Sequence, residues 1–337
     1  MPSIHRRRAL RATTGLLIAA ATLGPLATAP AWAQGATGFP SKPVKLVVPF
    51  PPGGLADNLT RGLGQELSKA WGQPVVVENK PGANTIIASD FTAKSPADGY
   101  TLLMANDPSV SSNQYLYSKL PYDPVKDLVP VINVAETLEV LVVSPALKAQ
   151  NLNELLAAAR ARPGAVRYGS YGPGSKAHLD GAAFAQTTGT QLLHVPYKGV
   201  ADVVPALLAG HIDMAFTGVP PVMQLVRSGQ LRALAVAAPR RATVLPDVPT
   251  TTEAGLKDFH ASAWFGLVAP AGVPRPVIDR IAADVSRIIR QPEFQQRYIT
   301  GVGLELLDQG PDAFAAFLQK DRESYAKHIR DTGVKLD

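Results

Sequence analysis

Three turns rich in glycine carry most of the chemistry this sequence offers. The first lies in PFPPGGLADNLTR (49–61), where a short apolar run stops and a polar, helix-like run begins. Gly53 and Gly54 let the backbone approach a ligand, while Pro49, Pro51 and Pro52 keep the loop stiff. Unpaired N–H groups at the start of the helix that follows favour an anion. Asp57 suits the positive end of that helix but opposes a bound anion, so its part is to cap or position the loop. The second turn is KPGANTIIA (80–88), where Pro81-Gly82 reverses the chain and Asn84-Thr85 caps the next helix. In the third, GSYGPGSKAHL (169–179), Gly172, Gly174 and Ser175 precede a helix, and the Ser175 hydroxyl with its neighbouring amides can grip a carboxylate. Each motif alone also reads as a plain structural turn. Three of them, at comparable strand ends of two halves, argue for one converging site.

The rival chemistry is hydrolysis. Tyr168-Gly169-Ser170-Tyr171-Gly172 comes within one residue of the G-x-S-x-G nucleophile elbow, with Tyr168 in place of the first glycine. His178, His194, Asp180 and Asp213 are the available partners for a nucleophilic Ser170, though nothing in their order supports a triad. The histidines at 5, 178, 194, 211, 260 and 328 contain no H-E-x-x-H or similar pair, and the absence of cysteine removes zinc-thiolate, disulfide and lipidated-cysteine chemistry. Gly62-Leu63-Gly64 lacks the third glycine of a dinucleotide fingerprint. No metal and no cofactor are therefore expected. Lys198 reads as a carboxylate partner or as a solvated strand end, and Tyr197, Trp264 and Phe265 as cleft lining or as core.

The elements that must position these residues alternate in type. Apolar runs at 44–48, 74–78 and 100–105 are separated by helical stretches near 56–70 and 85–95, the pattern of a parallel sheet with crossover helices. The rhythm restarts after Val140 with strands at 166–170, 191–197, 212–218 and 231–238 and helices between them. A strand at 261–269 leads into a helix at 277–289, and two helices, 312–320 and 322–330, end the chain. At 337 residues two domains are the natural expectation, with a ligand cleft at their junction.

The formal charge of +6 rests largely on Arg6, Arg7, Arg8 and Arg11; without them it is +6 − 4 = +2, so no nucleic-acid surface is implied. Those arginines open a tripartite export segment: a basic start, an apolar stretch from Gly15 to Leu26 and an A-x-A site at Ala31-Trp32-Ala33. Cleavage after Ala33 releases a mature chain into the periplasm. The arginine pair permits either the secretory or the twin-arginine route.

The ordered blocks PFPPGGLADNLTR, ENKPGANTIIASDFTAKSPADGYTLLMA, YGSYGPGSKAHLDGAAF, LLHVPYKGVADVVPALLAGHIDMAF, LRALAVAAPRRATVLPDVPTTTEAG and WFGLVAPAGVP resemble the substrate-binding proteins of tripartite tricarboxylate transporters, the Bug or TctC-like family. The resemblance runs from about residue 40 to 320. It implies an α/β, two-lobed periplasmic binding protein of type II, with a hinge and an interdomain cleft that closes like a flytrap. Lobe 1 would comprise 34–140 and 262–337, and lobe 2 residues 141–261, with hinge strands near Val140 and Ser262. The implied ligand is a small carboxylate: a di- or tricarboxylate, an acidic amino acid or an aromatic acid. It would be delivered to a membrane permease of two subunits. Monomer is the default for the class, and catalysis and nucleic-acid binding are not expected. Carried over by motif, the ligand contacts are Phe50, Gly53, Gly54 and Asp57 in the first loop, Asn84 and Thr85 in the second, and Ser175 and Tyr197 in lobe 2. Ser109 joins them from the turn Asn106-Asp107-Pro108-Ser109. That turn departs from the threonine-rich one of many relatives, and Asn84 stands where the family usually has a small residue. Asp107 in the pocket would repel a polyanion; pointing outward it would have no effect.

Overall fold

Val44–Val48 is apolar at four of its five positions, and the strand it forms, β1, is buried on both faces as the centre of a parallel unit must be. It pairs in parallel with β2 (Val75–Asn79) on one side and β3 (Thr101–Ala105) on the other. The crossovers are α1 (Leu55–Trp71) and α2 (Ile86–Ala93). The computed structural model describes residues 38–257 and 259–336; the export segment read at 1–33 lies outside them. A short helix, α3 (Asn113–Leu116), follows the turn after β3.

The 16-residue strand β4 (Leu128–Val143) joins the two halves. Its first part pairs antiparallel with β9 (Ser262–Pro270) and with β10 (Glu305–Gln309). From Glu139 onward it pairs antiparallel with β7 (Met214–Gly218) and β8 (Arg232–Val236). In the second half α4 (Leu152–Ala161), α5 (Lys176–Thr188), α6 (Val200–Leu208) and α7 (Val219–Arg227) flank a parallel set in which β5 (Arg167–Ser170) lies between β6 (Leu193–Pro196) and β7. The strands form one network, in the order β2-β1-β3-β9-β4-β7-β5-β6 with β8 and β10 beside β4.

Three expectations change here. The sheet is mixed rather than parallel throughout, because β3 and β4 both take β9 as an antiparallel neighbour. Residues 128–137 are strand as well, although Pro130 and Asn133 interrupt their apolar pattern; register shifts at both positions absorb the missing donor and the polar side chain. After α8 (Arg275–Ile289) and α9 (Pro292–Tyr298), the chain ends in one continuous 22-residue helix, α10 (Pro311–Thr332), instead of two. No proline or glycine breaks it.

Helix α10 ties the halves together through a buried polar cluster. The Tyr325 hydroxyl donates to Asp107 Oδ2 at 2.9 Å. Lys176 of α5 pairs with Asp180, and its ammonium lies 5.9 Å from the centre of the Tyr325 ring. Glu139 of β4 is buried in the same neighbourhood. Asp107 thus neither enters a pocket nor points outward: it is 2% exposed, behind its turn. Burial pushes its carboxyl up to about 7 against the pull of the Lys176 ammonium and the Tyr325 hydroxyl. The unfolded chain ionises this acid near 3.8 and the folded chain does not, so stability is lost as pH rises from there toward 7. Asp107→Asn keeps an acceptor for Tyr325 and removes the titration. Urea unfolding should show the variant gaining on the parent as pH rises across that window, on the order of 2–4 kcal/mol at the upper end. A difference that does not vary with pH would place the Asp107 charge in solvent.

Candidate functional site

The first loop is held from behind by its own polar side chains. Gly53 takes φ +87 and donates its N–H to Asp57 Oδ2 at 2.8 Å. Arg61 Nε donates to the same oxygen at 2.9 Å, and Asn79 Nδ2 donates to Asp57 Oδ1 at 2.8 Å and to the Phe50 carbonyl at 3.0 Å. Both carboxylate oxygens of Asp57 are therefore engaged within the protein, and the residue is 1% exposed. Burial alone would raise its pKa, but the bonds from Arg61, Gly53 and Asn79 outweigh that and hold the carboxyl below its usual range. Asp57 braces the loop. Gly53 and Gly54 are exposed, and a carbon added at Gly53 would meet nothing within 4 Å. Gly53 is needed for its left-handed backbone rather than for space.

The second turn carries three consecutive non-glycine residues at positive φ: Ala83 at +46, Asn84 at +47 and Thr85 at +74. Such residues cost about 1–3 kcal/mol each and persist only where their surroundings fix them. The Asn84 side chain donates to Asn113 Oδ1 at 2.8 Å, and Asn113 Nδ2 returns a bond to the Asn84 carbonyl at 2.7 Å. Ser109 Oγ donates to Asn106 Oδ1 at 2.8 Å and reaches Thr85 Oγ1 at 3.2 Å, while Tyr122 donates to the Ser109 carbonyl at 2.7 Å. Asn84, Thr85 and Ser109 thus share one network. Asn113, Asn79 and Tyr122, which sequence reasoning passed over, complete these braces. For Asn79 the available signal was an amide at the end of a strand facing the first loop.

In the second half Gly172 and Gly174 take φ +119 and +73. Ser175 stands before α5, yet its hydroxyl donates to the Gly172 carbonyl at 2.7 Å rather than capping the helix. The Tyr197 N–H donates to the Ser170 carbonyl at 2.9 Å, which seats the end of β6 beside this loop. Lys198 is exposed, a solvated strand end. The loop abuts the first half: a carbon added at Gly174 would lie 3.2 Å from Leu116 Cδ1 and 2.5 Å from Leu336 Cδ1. Trp264 is core, 1% exposed and edge-on to Phe314 and Phe317.

The rival nucleophile does meet a histidine, with Ser170 Oγ 2.6 Å from His194 Nε2. The arrangement lacks the rest of a triad. Ser170 is 0% exposed, and its hydroxyl also bonds the N–H and carbonyl of Gly172 at 3.2 Å. His194 stacks on His178 at 3.9 Å, and His178 Nδ1 accepts the Gly174 N–H at 3.0 Å. Asp180 is paired with Lys176, and Asp213 accepts three bonds from Arg167. Burial and the neighbouring His194 push His178 down to about 4, so it is neutral and able to accept at ordinary pH. Serine and histidines together shape the loop.

Residues 59–334 match the pattern of the family described as tripartite tricarboxylate transporter family receptor. The fold is similar to that of Rpa4515 of R. palustris, solved with adipate, at 30% identity and a TM-score of 0.81 over 88% of this chain and 98% of that one. It is similar to the periplasmic binding protein BugD at 31% identity and 0.78, over 88% and 99% of the two chains. It is also similar to MatC of Rhodopseudomonas palustris, solved with malate, at 29% identity and 0.78, over 86% and 100%. A two-lobed solute-binding fold is common to them. The chain belongs to the receptor family of the tripartite tricarboxylate transporters.

Proposed function

We propose that this protein is a periplasmic receptor that closes on a small carboxylate between its two lobes and hands it to a two-subunit membrane permease. The observation that carries this reading is the way the glycine turns are braced. Asp57, Asn79, Asn113 and Ser170 take up bonds within the loops, while Gly53 and Gly54 remain exposed at the end of β1. Loops held from behind can offer peptide N–H groups forward to an anion. Adipate and malate in the related structures are both dicarboxylates, which supports that ligand class here. Phe50, Gly53, Gly54, Thr85, Ser109, Ser175 and Tyr197 line the proposed site, with Asp57 and Asn84 positioning their turns. Lobe 1 would be 34–140 with 262–337 and lobe 2 would be 141–261, β4 and β9 carrying the hinge. Ligand shifts the lobes toward closure because it binds the closed state better. The chain acts as a monomeric receptor rather than an enzyme, and the export segment delivers it to the periplasm.

A thermal-shift screen of the mature chain against malate, adipate, citrate, glutamate and aromatic acids should give a saturable rise in melting temperature for at least one. No response from any of them would defeat the receptor reading. Gly53→Val forces a branched side chain into left-handed backbone and should weaken that ligand at least 10-fold by calorimetry with the far-ultraviolet circular dichroism unchanged; full affinity would exclude the first loop. Turnover of p-nitrophenyl acetate that disappears in Ser170→Ala would instead establish hydrolysis, and none is expected.

A further inference from the structure

A second hollow lies between the start of β4, strand β9 and helix α10. It encloses about 200 Å³, and every residue lining it is apolar except Arg322. Val110, Leu128, Val268 and Leu318 form its walls and are at most 5% exposed. Val125, at the rim, is 52% exposed. Among the described residues no carboxylate lies within ion-pair distance of Arg322, although Asp321 feels its charge. Its sequence neighbour Asp321 turns inward and accepts from Trp264 Nε1 at 3.1 Å. A half-buried guanidinium with no direct ion pair, whose charge is felt by the inward-turned Asp321, stands beside a dry wall and is complementary to one negative charge on an apolar body.

We infer that this hollow binds a small monocarboxylate with an apolar body, such as an aromatic or branched aliphatic acid, its carboxylate on Arg322 and its hydrocarbon against Val110, Val268 and Leu318. The volume suits a single ring or a five- to six-carbon chain. Polyacids do not fit, since one guanidinium meets one carboxylate and the walls offer nothing to a second. Val110 follows Ser109, whose hydroxyl bonds the Thr85 turn, so an occupant would press on a segment shared with the proposed cleft.

The test is methyl NMR of the mature chain titrated with benzoate and with 4-methylpentanoate. The methyls of Val110, Val268 and Leu318 should shift saturably, with half-saturation at millimolar concentration or below. Arg322→Gln should weaken this at least 10-fold, and Ala315→Phe, which fills the hollow from its exposed rim, should abolish it. Benzamide, the same body without charge, should leave these methyls unmoved. The inference fails if they do not shift, if benzamide shifts them equally, if Arg322→Gln binds as the parent does, or if benzoate moves only the loops at Gly53 and Ser175. Because the readout is local to the hollow, it stands or falls separately from the cleft: malate or adipate binding with no shift here overturns this site alone.

Discussion

A peptide N–H that is to receive a ligand must be left without an acceptor inside the protein, and a loop full of such groups does not hold its own shape. The N–H groups of Gly53, Gly172, Gly174 and Ser175 are spent on loop shape, which leaves the first-turn amides of α1 and α5 to face an anion. The first loop has its shape fixed by Asp57, whose two oxygens collect the Gly53 amide, the Arg61 guanidinium and the Asn79 amide. The second keeps three left-handed residues in place through reciprocal bonding of Asn84 and Asn113. The third is shaped by Ser170, Ser175 and His178 bonding to Gly172 and Gly174. Asp57 with Arg61 and Lys176 with Asp180 are paired near the loops and Lys198 is solvated, so an empty cleft would hold no isolated buried charge, an arrangement that avoids a large desolvation cost.

The same economy does not hold behind the turns. Asp107, Glu139 and Asp180 outnumber the single ammonium of Lys176 in the cluster that ties α10 to β4 and α5. Burial drives these acids upward, and Asp107 and Glu139 reach about 7 and about 8. The cluster lies where α10 packs on β4 and α5. Glu139 sits where β4 changes its partners from β9 to β7, the position at which the two halves share a single strand.

Much of this architecture was readable in the order of residues. The strand and helix alternation of each half follows from apolar runs and their spacing, because a strand buried on both faces must be apolar throughout. The glycine turns were legible too, since positive φ at Gly53, Gly172 and Gly174 leaves few other residue choices. The full length of β4 was not, because Pro130 and Asn133 break its pattern and only the register shifts against β9 make room for them. Nor was the unity of α10, whose charged middle at Lys320–Arg322 reads as a boundary until β4 and α5 are packed beneath it.

The sequence by itself determined where the chain turns, which backbone is free to approach an anion, and which family the ordered motifs belong to, because these are properties of local conformation and composition. Tertiary structure decided what each polar side chain does. Asp57, Asn84 and Ser170 are equally able, as residue types, to touch a ligand, to cap a helix or to attack an ester. Their partners Arg61, Asn79, Asn113 and His194 lie 4 to 29 positions away in sequence, and only folding brings them within hydrogen-bond reach.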